Sequence, residues 1–115
     1  MLFEADGRLV TIYVNSSDQW HGRPLYTAIV QHCQANGIAG ATVVRCAAGY
    51  GAGGQLHTTR LLELSEHLPV RIEIVDLPER VEPLLTDLKE MVGEGLMTVS
   101  AVRVFRSLHE PKPGE

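Results

Sequence analysis

The sequence contains only two cysteines, Cys33 and Cys46. With no second pair and no Cys-x-x-Cys spacing, the chain lacks the pattern of a structural zinc site or a thiol redox centre. We interpret both residues as reduced, buried thiols.

Basic residues are also scarce, since 10 Lys and Arg are outnumbered by 14 Asp and Glu, giving a net charge of −4 at pH 7. This balance argues against a nucleic-acid-binding protein, which normally presents a basic surface.

Charged residues are absent from positions 24–44, yet this stretch does not predict a membrane span. Polar side chains and glycines interrupt it, among them Gln31, His32, Gln34 and Asn36. Positions 1–6 carry acidic and no basic side chains, so we expect no secretory signal, no direct membrane insertion and a cytoplasmic protein. No Ser-His-Asp, His-Glu-x-x-His or paired-carboxylate pattern stands out, so the sequence does not indicate an enzyme.

Hydrophobic periodicity divides the chain into two strand–helix–strand units. Strands are predicted at 8–14, 38–47, 70–77 and 96–105, where β-branched residues are frequent. One helix should begin near Pro24 and stop at Gly37, and a second should begin near Pro78 with an irregular first turn at Pro83. This order predicts an α+β, ferredoxin-like βαββαβ fold in a single domain over residues 1–115, with a flexible tail at 107–115.

One face of this sheet should pack on the helices and the other should be part apolar and part charged. We assign to the second face Val43, Arg45, Arg71, Glu73, Val75, Met97, Val99 and Arg103. A lone domain would leave this patch in water, so the pattern favours an interface in a homo-oligomer. Trp20, in the loop after the first strand, is expected to pack as a lid on the core.

The glycine-rich segment 49–69 is long for a connection between two strands and is therefore a candidate functional loop. Its glycines can form a backbone cradle for an anion or simply a flexible link. Gly49-x-Gly51-x-x-Gly54 also fits a dinucleotide fingerprint, with a helix predicted at 56–66 and Asp76 as the acidic residue. That alternative describes a dinucleotide-binding enzyme subunit, but 115 residues leave little room for a parallel sheet.

Several short segments together resemble a known family. They are Trp20-x-Gly22-x-Pro24-Leu25-Tyr26, Gly40-Ala41-Thr42-Val43-x-Arg45, Gly49-Tyr50-Gly51 with His57-Thr58, Leu68-Pro69-Val70-x-Ile72-Glu73-Ile74-Val75-Asp76 and Gly95-Leu96-Met97-Thr98. In combination, over residues 8–105, they resemble the PII-like group known as domain of unknown function 190. The resemblance implies ferredoxin-like subunits in a homotrimer, with a long T-loop between the second and third strands. It also implies a small effector, an adenine nucleotide or a related molecule, bound between subunits and reported to a partner protein, with a membrane transporter as one candidate.

The resemblance also implies the site residues. Gly49, Tyr50 and Gly51 correspond to the base of the T-loop, His57 to its His-Thr pair, and Gly93 with Gly95 to the short B-loop. Arg103 lies on the last strand, where PII proteins carry phosphate-binding arginines. The residues themselves leave alternatives open, because a histidine in a loop, such as His57, is more often simply solvated than bound to a ligand. Arg45 and Arg103 either bind phosphate or pair with Glu73 across an interface.

The chain departs from PII proteins at positions that matter for the ligand. Ala52-Gly53 replaces their Arg-Gln, Leu96 replaces a lysine, and no tyrosine is present between Gln55 and Pro69 for uridylylation. Fewer cationic donors favour AMP over ATP. We therefore expect a trimeric, non-enzymatic regulator that binds a small effector at Arg45, Gly49, Tyr50, Gly51, His57, Gly93, Gly95 and Arg103. A ligand-free structural accessory subunit is the second alternative.

Overall fold

Runs of β-branched residues form the centre of a four-stranded antiparallel sheet. The computed structural model describes residues 2–49 and 68–107. In chain order the elements are β1 (Leu2–Asn15), β2 (Gln19–Trp20), β3 (Arg23–Pro24), α1 (Leu25–Ala35), β4 (Gly40–Arg45), β5 (Pro69–Asp76), α2 (Pro78–Val81), a 3-10 turn (Glu82–Leu84), α3 (Leu85–Val92) and β6 (Leu96–Ser107).

The sheet has the strand order β4-β5-β1-β6, with every neighbouring pair antiparallel. The two central strands place Val10 opposite Ile74 and Ile12 opposite Ile72, and all four side chains are fully buried. Burying these branched side chains against the helices is the main favourable term in folding. The order and the two helical connections confirm the predicted ferredoxin-like βαββαβ fold.

Helix α1 ends where its sequence predicts. Gly37 has a φ of 71°, which glycine adopts without strain, and its N–H donates to the carbonyl of Gln34 at 3.1 Å. The N–H of Ile38 donates to the carbonyl of Cys33 at 3.1 Å, so the last carbonyls of the helix are satisfied. The predicted irregularity at Pro83 is also confirmed, since the 3-10 turn separates α2 from α3.

Helix α1 begins at Leu25, one residue after the predicted start. Pro24 instead pairs with Gln19, and Arg23 pairs with Trp20, in a short hairpin. Its two turn residues, His21 and Gly22, both have positive φ, as a type I′ turn requires. Trp20 is partly buried and packs against the core, which confirms its prediction as a lid.

The prediction of which residues share the second face was wrong for five of them. Residues directly opposite each other in an antiparallel sheet point to the same side. Val43 lies opposite Ile72, Arg45 opposite Val70 and Met97 opposite Ile12, so these side chains share the helix-covered face. Val99 and Arg103, on β6, belong to that face as well. Alternation within each strand was correct, but the register between strands decides the face and is not readable from one strand.

Strands β1 and β6 extend beyond the rest of the sheet. Residues 2–7 pair with residues 102–107, whereas the pairing of β1 with β5 begins only at Arg8. We call this two-stranded extension the ribbon. The sequence did not predict it, because Glu4, Asp6 and Gly7 disfavour a strand locally. The pairing with β6 supplies hydrogen bonds that local preference does not reveal.

The parallel unit required by a dinucleotide fingerprint is not formed, because β4 and β5, which flank the glycine-rich segment, are antiparallel neighbours. The helix predicted at 56–66 lies outside the described residues, as does the tail beyond Ser107. Within residues 2–49 and 68–107, no helix has the length and apolar character needed to cross a membrane.

Candidate functional site

Arg45 is a cationic residue at one end of the sheet. It is the last residue of β4, its side chain is exposed, and it lies level with Val70 and Val14 on the neighbouring strands. Gly49 follows a few residues later, before the segment 50–67. Tyr50, Gly51 and His57 lie outside the described residues. We call this part of the molecule the Arg45 end.

Gly93 and Gly95 lie at the same end of the sheet, after helix α3. Gly93 has φ 59° and ψ −116°, and the N–H of Gly95 donates to the carbonyl of Val92 at 3.0 Å. This geometry is a type II′ turn, whose first central position favours glycine. The N–H of Gly93 donates to the carbonyl of Lys89 at 3.2 Å. The N–H groups of both glycines are therefore engaged within the chain, that of Gly95 by the turn and that of Gly93 by the end of helix α3.

Gly95 has a second structural reason to be glycine. A Cβ at this position would lie 2.9 Å from the carbonyl oxygen of Tyr13 and 2.9 Å from Cγ1 of Val92. The short distance to the β1 backbone places the turn against the end of β1. The requirement for glycine here comes from packing, and no ligand is needed to explain it.

Arg103 lies at the opposite end of the sheet, on the ribbon. It is opposite Asp6 in the β1–β6 pairing, and its guanidinium forms an ion pair with Glu4 of the same chain. Its Cζ also lies 5.9 Å from the ring centroid of Phe105. Within the chain, Glu73 forms an ion pair with Arg71 at 2.8 Å. The alternative of a pair between Arg103 and Glu73 across an interface stays a prediction.

The structure therefore separates the predicted site residues into two groups. In the strand register, Arg45 aligns with Val14 of β1, and Arg103 aligns with Asp6 of β1. Roughly 26 Å of β1 separates these two positions. The two arginines also lie on opposite edge strands, about 14 Å apart across the sheet. One small ligand cannot touch both arginines of a single chain.

A concave region at the ribbon end was not predicted from the sequence. It has a volume of about 490 Å³ and lies beyond the carboxyl end of β5, beside the ribbon. Its walls are Phe3, Gly37, Ile38, Ala39, Val75, Asp76, Leu77, Arg80, Val104 and Arg106. We call it the ribbon cavity. In the sequence, only Asp76 at the end of a strand and Arg80 shortly after it indicated a site in this region. The walls that the ribbon supplies depend on the pairing of β1 with β6, which the sequence alone does not reveal.

Asp76 is a structural residue of this region. It is buried, and its carboxylate accepts hydrogen bonds from the N–H of Ala39 at 2.8 Å and of Leu77 at 2.7 Å. These bonds tie the start of α2 to the loop that precedes β4. The carboxylate is therefore buried and holds the backbone, whereas the dinucleotide alternative needs an acid that is open to a ribose hydroxyl.

The remaining reactive side chains in the described part of the chain do not form a catalytic or metal site. Burial raises the pKa of the Cys33 thiol to about 11, so it is protonated and unreactive at neutral pH. His32 contacts Asp87 at 3.0 Å and joins α1 to α3 beside a shallow groove of about 530 Å³. Among residues 2–49 and 68–107, no three His, Cys, Asp or Glu side chains come together in a way that could hold a metal ion.

Comparison with known sequences identifies related proteins over most of the chain. Residues 7–104 match the family DUF190, described as "Uncharacterized ACR". A UPF0166 protein of Aquifex aeolicus is 32% identical over 98 residues, which cover 85% of this chain and 92% of that protein. A UPF0166 protein of Methanocaldococcus jannaschii is 32% identical over 100 residues, covering 86% and 92%.

Comparison with solved structures shows which fold this is. CPII of Thiomonas intermedia K12, a nitrogen regulatory PII-like protein bound to ADP, AMP and bicarbonate, matches with a TM-score of 0.67 at 18% identity, covering 89% of this chain and 91% of that one. A protein of Thermus thermophilus, described as PII-like and signalling, matches with a TM-score of 0.59 at 19% identity, covering 90% and 91%. The chain has the fold of PII-like proteins.

Proposed function

The chain belongs to the DUF190 family, and from that premise we propose that it is a PII-like regulatory protein whose effector site is shared between two subunits. The effector is an adenine nucleotide, with AMP preferred to ATP. The protein acts on a partner protein through the segment 50–67, which corresponds to the T-loop, and it does not catalyse a reaction. A membrane transporter is one candidate partner.

The observation that carries this proposal is the distance between Arg45, at one end of the sheet, and the arginines of the ribbon, at the other end. A ligand bound by Arg45 of one chain and by the ribbon end of another satisfies both groups at once. Such a contact joins two different surfaces, and repeating it closes into a ring when the rotation allows. The resemblance to PII proteins implies a ring of three.

The match to CPII supports the choice of ligand. CPII is bound to ADP and AMP in its solved structure, and it shares the fold of this chain. At the Arg45 end, the N–H groups of Gly93 and Gly95 already donate to carbonyl groups of helix α3. Arg45 is thus the group that we propose meets the phosphate there. Few cations at the site suit one phosphate better than three.

A thermal-shift screen combined with native mass spectrometry tests the proposal. At about a hundred times its Kd, a ligand stabilises the folded state by about 2.7 kcal/mol per site. For a domain of this size that corresponds to a rise in Tm of roughly 10 °C. AMP, ADP, ATP and NAD are compared side by side, and we expect the largest shift with AMP and the mass of three chains.

The same screen separates the alternatives. A shift with NAD alone would support a dinucleotide-binding subunit, against the antiparallel arrangement of β4 and β5. A trimer that no nucleotide stabilises would support a structural accessory subunit. A protein that stays monomeric at micromolar concentration while binding AMP tightly would contradict the shared site.

A further inference from the structure

Residues 20–24 carry part of the family resemblance, yet the proposed effector site does not use them. They fold as the hairpin β2–β3, in which His21 has a φ of 51°, in the left-handed region that residues other than glycine seldom adopt. The ring of His21 contacts the ring of Trp20, with 4.6 Å between their centroids. The hairpin packs against α1, so its side chains lie beside the helix layer.

The hairpin, α1 and α3 together border an open groove of about 530 Å³, which we call the hairpin groove. On α1, the residues Ala28 and Ala35 lie two turns apart on the same side of the helix. Because an alanine side chain ends at Cβ, space remains between the two helices. Ala28 and Met91 are buried and form an apolar floor. The volume is within the range of about 300–1,000 Å³ that is typical of small-molecule sites.

The hairpin supplies a cation to one side of this groove. Arg23, the first residue of β3, lines the groove, and its Nη1 donates to Oε1 of Gln31 on α1. This bond holds the guanidinium against α1 and uses only one of its five N–H groups. Arg23 forms no ion pair with the described residues. This side of the groove therefore offers donors that suit a carboxylate.

Helix α3 supplies carboxylates to the other side. Asp87 contacts His32 at 3.0 Å and thereby joins α3 to α1. Glu90 lies one turn further along α3, lines the groove and forms no ion pair with any described residue. Its carboxylate is open to an ammonium group. The groove thus has an unpaired cation on the hairpin side and an unpaired anion on the α3 side.

We propose that the hairpin groove binds a small zwitterion of the amino-acid class, with the carboxylate of the ligand at Arg23 and its ammonium group at Glu90. A plain anion would also face Glu90, and a plain cation would also face Arg23, so a molecule with both charges matches the groove best. The apolar floor, with Trp20 beside it, suits a ligand with an apolar side chain. This site goes beyond the nucleotide site proposed above and uses none of its residues.

The signal of Trp20 tests this proposal directly. Trp20 is the only tryptophan in the chain, so its indole N–H gives one NMR signal, and this signal reports on the groove. The full chain is titrated with L-leucine, with isocaproate, which lacks the ammonium group, and with isoamylamine, which lacks the carboxylate. We expect a saturable shift with leucine, with a millimolar Kd, and weaker binding of both analogues. Sodium chloride at equal ionic strength controls for screening.

Glu90→Gln and Arg23→Gln separate the two halves of the recognition. In Glu90→Gln, leucine should bind no better than isocaproate, and in Arg23→Gln it should bind no better than isoamylamine. Each change should weaken leucine binding about two- to fivefold, the size expected for a solvent-exposed ion pair. Glu82→Gln is the matched control, because Glu82 is an exposed acid outside the groove, and it should bind leucine as the natural protein does. Equal Tm values establish that the variants are folded.

The outcomes separate this inference from the proposed function. The zwitterion site is overturned by the absence of a saturable leucine shift, or by leucine binding that neither Glu90→Gln nor Arg23→Gln weakens, while the nucleotide-binding function stands. A Trp20 shift with AMP and none with leucine also overturns it and assigns the groove to the effector. Leucine binding in the groove without binding of any nucleotide supports the zwitterion site and refutes the adenine nucleotide.

Discussion

Gly93 and Gly95 both correspond by resemblance to the B-loop, but each must be glycine for a different physical reason. Gly93 is required by a backbone conformation, and Gly95 is required by the space between the turn and β1. Neither needs a bound nucleotide to explain it. The glycines of this turn are therefore weaker evidence for a ligand than the exposed Arg45.

We expect Gly95→Ala to destabilise the protein by about 1–3 kcal/mol, because the added methyl group overlaps backbone and side-chain atoms. Gly93→Ala should cost about the same through its strained φ. Gly40→Ala is the control, since its Cβ meets no atom within 4 Å, and it should be nearly neutral. Urea denaturation measures all three, and a stable Gly95→Ala protein would contradict the close packing of the turn.

The two cysteines should differ strongly in reactivity. Burial raises the pKa of Cys33 to about 11, so at pH 8 only about one thiol in a thousand is ionised. Cys46 is only partly buried. In the native protein, iodoacetamide at pH 8 should modify Cys46 first and Cys33 only after unfolding, as measured by peptide mass spectrometry. Equal labelling rates at the two sites would mean that Cys33 is not enclosed by the core.

At the level of elements, the sequence predicted the central strands well because their residues alternate in a way that only a half-buried strand explains. It predicted the stop of α1 at Gly37 and the break at Pro83 from local stereochemistry. The first residues of β1 were missed because Glu4, Asp6 and Gly7 form a strand only through pairing with β6. The faces of β4 and β6 were assigned wrongly because the register between strands is a tertiary property.

The candidate site could be predicted only in part for the same reason. Arg45 and Gly93–Gly95 were found from motifs that are continuous in sequence. The ribbon cavity combines Phe3, Arg80 and Arg106, which are far apart in the chain and meet only in the folded protein. No local pattern identifies such a set.

Arg71 and Glu73 allow a test of whether their ion pair forms within one chain or between copies. The two side chains are neighbours on one face of β5 and form an ion pair at 2.8 Å within the chain. Reversing either charge should lower stability by about 0.2–1 kcal/mol, and the double reversal should restore it without changing the oligomer. A double-mutant cycle by urea denaturation, with sedimentation alongside, measures both. Recovery of assembly in place of stability would show that the residues pair between copies instead.

At the scale of the whole molecule, the sheet presents one cationic end on β4 and another on the ribbon. Their separation makes a single chain unable to enclose a small ligand with both ends. The central claim is therefore that the effector site is completed by a second copy. This claim does not depend on which ribbon arginine binds the anion.

Complementation between two defective variants tests that claim most directly. One variant carries Arg45→Gln, and the other carries Arg103→Gln together with Arg106→Gln. Each alone should bind AMP about ten- to a hundredfold more weakly than the natural protein. After the two are unfolded and refolded together in equal amounts, random assembly should give roughly a quarter of the sites two intact halves.

Isothermal titration of this mixture counts those sites. The shared-site account predicts that about one site in four regains the natural affinity for AMP, although every chain in the mixture carries a defect. A mixture with no high-affinity sites, while the natural protein binds AMP normally, would place the whole site within one chain and contradict the account.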